Sequence, residues 1–217
     1  LINEFNNPHS PYHIPPGTQG PEAPDDPPPP IAAHSRAKLA GMGYDPTSFW
    51  EQPIVWGDHD AFQHVNNVRY VRFFESGRMQ WISAVANELG GPEVAGKMLN
   101  AKGVSFILKS IEVKFRRPVT FPDTLLIAHK PLPWLEQLAE VGTERAGPPL
   151  ARTQFILDAA AHSYAQDAVV ATSSSVVTWY DYDTLRKCDP GDKLWAPVLA
   201  RMELAQHAAR RGGRGSR

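Results

Sequence analysis

The sequence predicts an α+β domain in which one long helix packs on one antiparallel β-sheet. Three observations predict this class: a short β pattern, one long helical pattern after it, and four or more further β patterns in succession. Strands that follow one another without intervening helices are expected to pair antiparallel. The chain of 217 residues is long enough for one domain with a substantial core.

Composition narrows the classes of function before any motif is considered. The 22 basic and 23 acidic residues give a formal charge of −1, so no global field draws the chain toward nucleic acid or a membrane surface. No apolar run approaches the roughly 20 residues that cross a bilayer. The single cysteine, Cys188, excludes an internal disulfide and suits a reducing compartment, either the cytoplasm or the mitochondrial matrix.

The first segment, residues 1–48, is predicted to be a Pro-rich disordered arm. Its four consecutive prolines, 27–30, favour polyproline II over a packed element. Only a short helical turn over residues 35–42 is expected there. Four acidic residues, Glu4, Glu22, Asp25 and Asp26, precede the first basic side chain of the arm, Arg36, which is the wrong composition for an Arg-rich mitochondrial presequence.

The long helix is predicted within a domain that covers residues 49–188. Residues 53–56 form the short apolar β pattern, and an asparagine at 66 or 67 offers the N-cap of the helix. Apolar residues at helical spacing continue to Leu89, where the run Gly-Gly-Pro at 90–92 ends the helix. A second short helix is expected over residues 93–99.

Four β patterns and a final helix follow. The strands are expected over residues 105–115, 124–130, 152–164 and 169–179, and a turn at 165–167 joins the last two as a hairpin. The Pro/Gly-rich stretch 131–149 favours no element. Residues 189–217 are expected to form a C-terminal amphipathic helix, over 194–210, and a basic tail.

The densest polar stretch of the chain lies between the first strand and the long helix. Residues 56–70 read WGDHDAFQHVNNVRY. Two carboxylates, two imidazoles and two amides at a strand-to-helix junction are poor core material and are typical of an active-site loop. If the strand extends through this run, Asp58 and Asp60 project to one side and His59 to the other. Carboxylates this close repel, so one of them holds its proton more tightly.

These residues resemble the hotdog-fold thioesterases of the 4-hydroxybenzoyl-CoA thioesterase-like group, which includes bacterial acyl-CoA thioesterases and plant acyl-ACP thioesterases. The resemblance spans residues 51–183 and is carried by the polar run, by Phe74-Glu75 and Arg78, and by the stretch RPVTFPDTL at 117–125. It implies a hotdog fold, in which a curved antiparallel sheet wraps the long central helix. It also implies a homodimer or tetramer whose subunits pair their sheets edge to edge, with the active sites at the interface.

The resemblance further implies hydrolysis of an acyl-CoA or acyl-carrier thioester without a cofactor. The catalytic carboxylate of the bacterial members aligns with Asp58, and the catalytic Asp and His of the plant-type members align with Asp60 and His64. Phe62 stands where the plant-type pattern has asparagine, so that version of the mechanism is incomplete. The hypothesis puts Asp58 first as base or nucleophile, with Asp60 and His64 orienting the water or the carboxylate. The oxyanion is expected at the start of the long helix, where N–H groups and the positive dipole end converge.

Five further residues are expected to bind the substrate: Asn66, Asn67, Tyr70, Arg116 and Arg117. The two arginines, with Lys114 beside them, suit the phosphates of CoA or of a phosphopantetheine carrier. Each assignment has a structural alternative. The asparagines suit helix caps, the tyrosine suits the core, and basic residues at a strand end are often only solvated.

The catalytic candidates also have structural alternatives. Asp58 and Asp60 suit turn and helix capping, and His64 suits a junction histidine that bonds to the backbone. The spacing of these groups and His59 matches no familiar metal site, so no metal is expected.

Two other functions compete with hydrolysis. A non-catalytic hotdog subunit, which binds acyl thioesters or serves in an assembly, would keep the fold without the chemistry. The departure at Phe62 favours that hypothesis, while the intact Asp58, Asp60 and His64 argue against it. A hotdog hydratase or dehydratase requires a different arrangement of Asp and His, which we do not find in the sequence.

Overall fold

The computed structural model describes residues 30–135 and 150–212. Its helices are α1 (Pro30–Gly41), α2 (Asn67–Leu99) and α3 (Asp192–Gly212), and a short 3₁₀ turn covers Trp56–Asp58. Its strands are β1 (Asp45–Ile54), β2 (Val104–Phe115), β3 (Asp123–Leu135), β4 (Leu150–Ser163), β5 (Ala168–Asp181) and β6 (Arg186–Lys187). The strands form one antiparallel sheet in the order β1-β3-β4-β5-β2, and β6 pairs with the end of β5. The predicted α+β class, with one long helix on one antiparallel sheet, is confirmed.

One face of the sheet packs on α2. Near the start of the helix, Phe73 and Phe74 pack against side chains of β1, β3, β4 and β5. Further along, Trp81 belongs to an aromatic cluster with Phe106, Phe155, Trp179 and Trp195. Burial of so many large rings supplies most of the apolar area that stabilises the domain.

Helix and sheet come closest at Gly77. A Cβ atom at this position would lie 2.7 Å from Cγ2 of Ile127 and 2.9 Å from Cε1 of His129. Any larger side chain would therefore push α2 away from β3. Glycine is required here because there is no room for a side chain, and not because of its backbone angles, which are those of a normal helix.

The predicted break in the long helix is confirmed. Gly90 and Gly91 leave helical geometry, and Gly91 has φ of +73°. Pro92 then begins the second segment, which continues to Leu99. Proline lacks an N–H and is tolerated at the first turn of a helix, so the Gly-Gly-Pro run both ends one segment and starts the next.

The prediction of a disordered arm is wrong for residues 30–48. They form α1 and the start of β1, and Leu39 is fully buried against Leu126 and Ala128 on the face of the sheet opposite α2. The helix buries only three side chains, two of them alanine and serine, so its sequence shows no broad apolar stripe. Residues 1–29 lie outside the described residues.

Polar contacts hold α1 on the sheet. Lys38 Nζ donates to the carboxylate of Asp167 at 3.1 Å, and Arg36 Nη2 donates to Oε1 of Glu51 at 2.8 Å. The hydroxyl of Tyr164 donates to the same Glu51 oxygen at 2.9 Å. The helix is thus attached to the sheet both by these partly exposed polar contacts and by the buried side chain of Leu39.

β1 begins at Asp45, well before the predicted strand over residues 53–56, and the other boundaries differ by about five residues or fewer. The β5 strand begins and ends close to its predicted limits, and the predicted hairpin of β4 and β5 is confirmed. β3 continues through Pro131 and Pro133 to Leu135, and residues 136–149 lie outside the described residues. The two-residue β6 was not predicted, because so short a strand has no alternation to detect.

Within the described ranges, no helix has the length and apolarity needed to cross a membrane.

Arg201 ties three elements together at the end of the sheet. Its Nε donates to Asp45 Oδ2 and its Nη1 to Glu88 Oε2, each at 2.7 Å, and Nη1 also donates to the carbonyl of Pro197. The side chains of Arg201 and Asp45 are each only 9% exposed. This ion pair therefore joins α3 to β1 and α2 in a nearly dry environment.

We expect Arg201→Ala to destabilise the fold by about 3–5 kcal/mol, because it leaves the buried Asp45 carboxylate without its cation. The measurement is the free energy of unfolding from urea titration. Glu203→Ala on the exposed side of the same helix is the control, with a change within about 0.5 kcal/mol. Equal effects of the two substitutions would contradict the role assigned to Arg201.

The buried His129 should make the folded state less stable at acid pH. Burial, and secondarily the nearby Arg78, lower the pKa of His129 from 6.5 to about 3, and its Nδ1 has no hydrogen-bond partner among the described residues. Since the unfolded chain then binds more protons than the folded one, stability falls as pH drops below about 6.5 and continues to fall toward pH 3.

We expect His129→Gln to flatten this dependence by up to about 1.4 kcal/mol per pH unit between the two pKa values. The check is a series of urea titrations from about pH 4 to 6.5 on both proteins, a range that lies within the interval between those pKa values. Parallel stability curves for the wild type and the variant would contradict the assignment.

Candidate active site

The polar loop between β1 and α2 follows a different path from the predicted one. β1 ends at Ile54 and a 3₁₀ turn follows it, so the strand does not extend through the polar run. The predicted alternation, with Asp58 and Asp60 on one side by strand geometry, is therefore wrong. The two carboxylates instead have distinct environments set by the turn.

Asp58 connects the end of β1 to the start of α2. Its Oδ2 accepts a hydrogen bond from Val55 N at 3.0 Å, and its Oδ1 lies 3.4 Å from Arg69 Nε. Its own carbonyl accepts from Asn66 N at 2.9 Å. Because the residue is only 6% exposed, water has little access to its carboxylate, and the nearby cation that balances its charge is Arg69. Sequence reasoning missed Arg69, although an arginine in the first turn of the helix, shortly after a carboxylate, was the available signal.

Asp60 is more open and only partly engaged. Its Oδ1 accepts from Phe62 N at 2.9 Å and lies 4.0 Å from His64 Nδ1. Its other carboxylate oxygen has no hydrogen-bond partner within residues 30–135 and 150–212. Asp60 N donates to His64 O at 3.1 Å, which closes the turn between them. The turn presents a carboxylate with one free oxygen beside an imidazole.

His59 has a structural partner. Its Nε2 accepts a hydrogen bond from Phe121 N at 2.8 Å, and the residue forms an isolated β-bridge with Val65. The accepting nitrogen is thus engaged by the backbone, and the imidazole holds the loop against the entry to β3.

Two clefts border the loop. The first, which we call the arginine cleft, has a volume of about 280 Å³ and lies between the start of α2 and the end of β2. The second, the aspartate cleft, measures about 760 Å³ and is lined by Trp56, Asp60, Thr120 and Phe121, among others. The Asp60–His64 turn contributes a residue to each cleft.

The arginine cleft brings together five of the predicted site residues, which are His64, Asn67, Tyr70, Arg116 and Arg117. Asn66 is not among the lining residues, and its Oδ1 accepts from Val68 N at 3.1 Å as the N-cap of α2. The predicted asparagine cap is thus confirmed for Asn66.

Aromatic side chains form one wall of the arginine cleft. The ring of Tyr70 meets that of Phe115 edge to face, with centroids 5.3 Å apart. Burial, and secondarily the carboxylate of Asp123, raise the pKa of Tyr70 to about 12, so its phenol stays neutral at physiological pH. The wall is apolar toward a ligand.

The start of α2 offers an unused donor to this cleft. Val68 N donates to the cap side chain and Arg69 N to the Asn66 carbonyl. The N–H of Asn67 has no acceptor among the described residues. First-turn amides have no partner within their own helix, and the dipole makes this end positive, so the cleft favours a developing negative charge.

The arginines of the cleft are held by the backbone and not by acidic side chains. Arg116 N and Arg117 N both donate to Val170 O, at 2.8 and 3.2 Å. Neither guanidinium takes part in an ion pair within the described part of the chain. Their donors remain free for a phosphate or carboxylate.

The structure offers no obvious metal centre. Within residues 30–135 and 150–212, no group of three or more His, Cys, Asp or Glu side chains is arranged to hold a metal ion.

Comparisons with known proteins agree with this geometry. A relative, the long-chain acyl-CoA thioesterase FadM of Escherichia coli (strain K12), is 32% identical over 74 residues, which are 34% of this chain and 50% of that protein. The chain thus matches about half the length of this curated relative.

Solved structures share the fold. A thioesterase from Thermus thermophilus, complexed with coenzyme A and Zn, aligns with a TM-score of 0.52 at 14% identity, over 71% of this chain and 93% of that one. A 1,4-dihydroxy-2-naphthoyl-CoA thioesterase from Synechocystis aligns with a TM-score of 0.51 at 12% identity, over 70% and 94%. The hotdog fold, a curved antiparallel sheet around a long helix, is thereby confirmed.

A family model covers most of the domain. The model described as the thioesterase-like superfamily matches residues 54–201, from the end of β1 through the polar loop and the sheet into α3. This chain belongs to the thioesterase-like superfamily.

Proposed function

We propose that this protein hydrolyses an acyl thioester, carried by CoA or by an acyl-carrier protein, to the free carboxylic acid and thiol. The observation that carries the proposal is the free oxygen of Asp60 on a turn that contributes to two clefts, one of which holds the unpaired Asn67 N–H. A base and an oxyanion donor are the two groups that thioester hydrolysis needs, and this loop and the start of α2 supply one of each. The relative from Escherichia coli, a long-chain acyl-CoA thioesterase, supports the same substrate class.

The chemistry assigns one role to each group. The free oxygen of Asp60 removes a proton from water, which attacks the thioester carbonyl carbon, while His64 orients the carboxylate. The carbonyl oxygen becomes negative and accepts a hydrogen bond from the N–H of Asn67. The C–S bond then breaks, and the proton held by Asp60 passes to the departing sulfur. Attack by the carboxylate itself, through an anhydride, is the alternative with the same residues.

Asp58 is proposed as a positioning residue. Its two oxygens already engage Val55 N and Arg69, and it is buried. These two contacts join the end of β1 to the first turn of α2 and so hold the loop in place. These contacts favour Asp60 over Asp58 as the base, which reverses the order that the sequence resemblance suggested.

The remaining predicted residues are proposed to hold the substrate. Tyr70 and Phe115 would line the acyl group, and Arg116 and Arg117 the phosphate that CoA and a carrier's phosphopantetheine have in common. A protein of this kind would act in lipid metabolism. Its single free thiol, Cys188, fits the cytoplasm or the mitochondrial matrix.

We further propose that the protein works as a homodimer, alone or within a tetramer. β2 is at the edge of the sheet and exposes Ile107 and Leu108, and α2 exposes Val68 and Val71 beside the cleft. An open edge strand with apolar side chains is a template for pairing with another chain. Antiparallel pairing of two β2 strands would join the sheets and cover this surface.

Asp60→Asn is expected to lower kcat/KM on acyl-CoA substrates by at least about 100-fold, the scale for removing a principal acid–base group. Its urea midpoint should stay within error of the wild type. Asp58→Asn is the matched comparison and should destabilise the fold by about 1–3 kcal/mol, because it removes the charge that pairs with Arg69.

The opposite pattern would contradict this assignment. A folded Asp58→Asn protein with the larger loss of rate would make Asp58 the base. Absence of turnover by the wild type on short-, medium- and long-chain acyl-CoAs, with the fold intact, would favour the non-catalytic acyl-thioester-binding subunit.

Leu108→Glu is expected to shift the protein from dimer to monomer, since a charge on the edge strand opposes pairing. The measurement is molar mass by light scattering during size-exclusion chromatography. Leu204→Glu, at an exposed leucine of α3, is the control and should leave the molar mass unchanged. A monomeric wild type would contradict the dimer.

A further inference from the structure

Gln63 has a backbone conformation that glutamine rarely adopts. It lies in the turn between Asp60 and His64, its N–H donates to the carbonyl of Asp60 at 3.0 Å, and its φ is +62°. In this left-handed region the Cβ atom of an L residue crowds the backbone, whereas glycine has no Cβ and enters the region freely. The path of the turn alone would therefore be satisfied better by glycine.

Positive φ by itself does not indicate a function. Ala101, Asp167 and Leu185 also have φ between +45° and +55°, and none of the three lines the aspartate cleft or the arginine cleft. Gln63 differs from them by its position, because it lines the aspartate cleft together with Asp60. Residues held in sparsely populated backbone conformations cluster at functional sites, so a strained residue beside the proposed base is a candidate for a further role.

The side chain of Gln63 is free to act on a ligand or a water molecule. The residue is exposed, and its amide makes no hydrogen bond within residues 30–135 and 150–212. A carboxamide offers one acceptor oxygen and two N–H donors. The same cleft contains Asp60, which also has one oxygen without a partner in that part of the chain. Two unengaged polar groups, three residues apart, therefore share one cleft.

The aspartate cleft has room for solvent at this point. Its volume is about 760 Å³, whereas a water molecule in the liquid takes up about 30 Å³. The proposed oxyanion donor, the N–H of Asn67, belongs to the arginine cleft on the other side of the turn. The two clefts thus offer separate approaches, one for water toward Asp60 and Gln63 and one for the thioester toward Asn67.

We propose that Gln63 orients the water that attacks the thioester. This inference rests on the proposed hydrolase function. Asp60 takes one proton of the water, and the amide oxygen of Gln63 accepts a hydrogen bond from the other. The water oxygen then forms the bond to the carbonyl carbon. When the C–S bond breaks, the proton on Asp60 passes to the sulfur and the second proton stays with the carboxylic acid. Two acceptors on one water fix the direction of its remaining lone pair, which lowers the entropic part of the barrier.

The first experiment separates the amide of Gln63 from its backbone. Gln63→Leu removes the amide but keeps a side chain of similar size, so kcat on acyl-CoA should fall about tenfold, the scale of one hydrogen bond, while KM stays within about twofold. Gln63→Gly should lower kcat equally. It should also raise the urea midpoint by roughly 0.5 M, because it relieves the left-handed conformation.

Ala101→Gly is the matched control for the backbone effect. Ala101 has φ of +54° and follows the far end of α2, which ends at Leu99. This substitution should raise the urea midpoint by a similar amount and leave kcat and KM unchanged. A stabilised Gln63→Gly protein with the kcat of the wild type would overturn the inference. So would a loss of kcat in Gln63→Gly but not in Gln63→Leu, or a rise in KM without a change in kcat.

The second experiment asks whether Asp60 and Gln63 act on the same water. The double variant Asp60→Asn/Gln63→Leu should be no more than about twofold slower than Asp60→Asn alone, because residues that act as a unit have non-additive effects. A further tenfold loss in the double variant would overturn the shared water. Turnover that depends on Asp60 but not on Gln63 would overturn this inference and leave the hydrolase function standing, whereas a wild type without turnover on any acyl thioester would overturn both.

Discussion

The ion pair between the buried Asp58 and the partly exposed Arg69 is the interaction on which the geometry of the polar loop depends. The carboxylate receives a hydrogen bond from the end of β1, and the arginine belongs to the first turn of α2. Arg69 also donates to the carbonyl of Gly57, within the same turn. A carboxylate this well enclosed cannot lose its partner without a large free-energy cost, so strand end, turn and helix start form one rigid unit.

This unit separates the two carboxylates by environment rather than by distance. Asp58 is buried and balanced by a cation, while Asp60 keeps one oxygen free beside His64. Acid–base chemistry needs a carboxylate that can gain and lose a proton, and structural anchoring needs one that stays charged. In the proposed mechanism one short stretch of sequence supplies both, because the 3₁₀ turn places the two side chains in different surroundings.

Local periodicity was enough to predict the long helix, its break at Gly90, the β4–β5 hairpin and the α+β class. The hotdog family followed from the polar run. The backbone hydrogen bond of Asp58 was not predictable, since a three-residue 3₁₀ turn leaves no periodic pattern and strand alternation was the natural assumption. Its contact with Arg69 did have a local signal, the arginine in the first turn of the helix. The full length of α1 was not predicted, because few of its side chains are buried and its sequence therefore shows no apolar stripe. The arginine cleft forms where α2 meets the end of β2. These residues are far apart in sequence, so no local pattern indicates their contact. The basic residues at the end of β2 were the one sequence feature that suggested a binding site there.

The way in which α1 is attached has a consequence for handling the protein. Lys38 with Asp167 and Arg36 with Glu51 are pairs whose side chains are partly exposed to solvent. Dissolved salt screens such pairs, each of which is worth at most about 1 kcal/mol. The burial of Leu39 on Leu126 and Ala128 involves no charge and is not screened. In concentrated electrolyte the helix is therefore retained mainly by this apolar contact, whereas a buffer of low ionic strength keeps both kinds of contact in place.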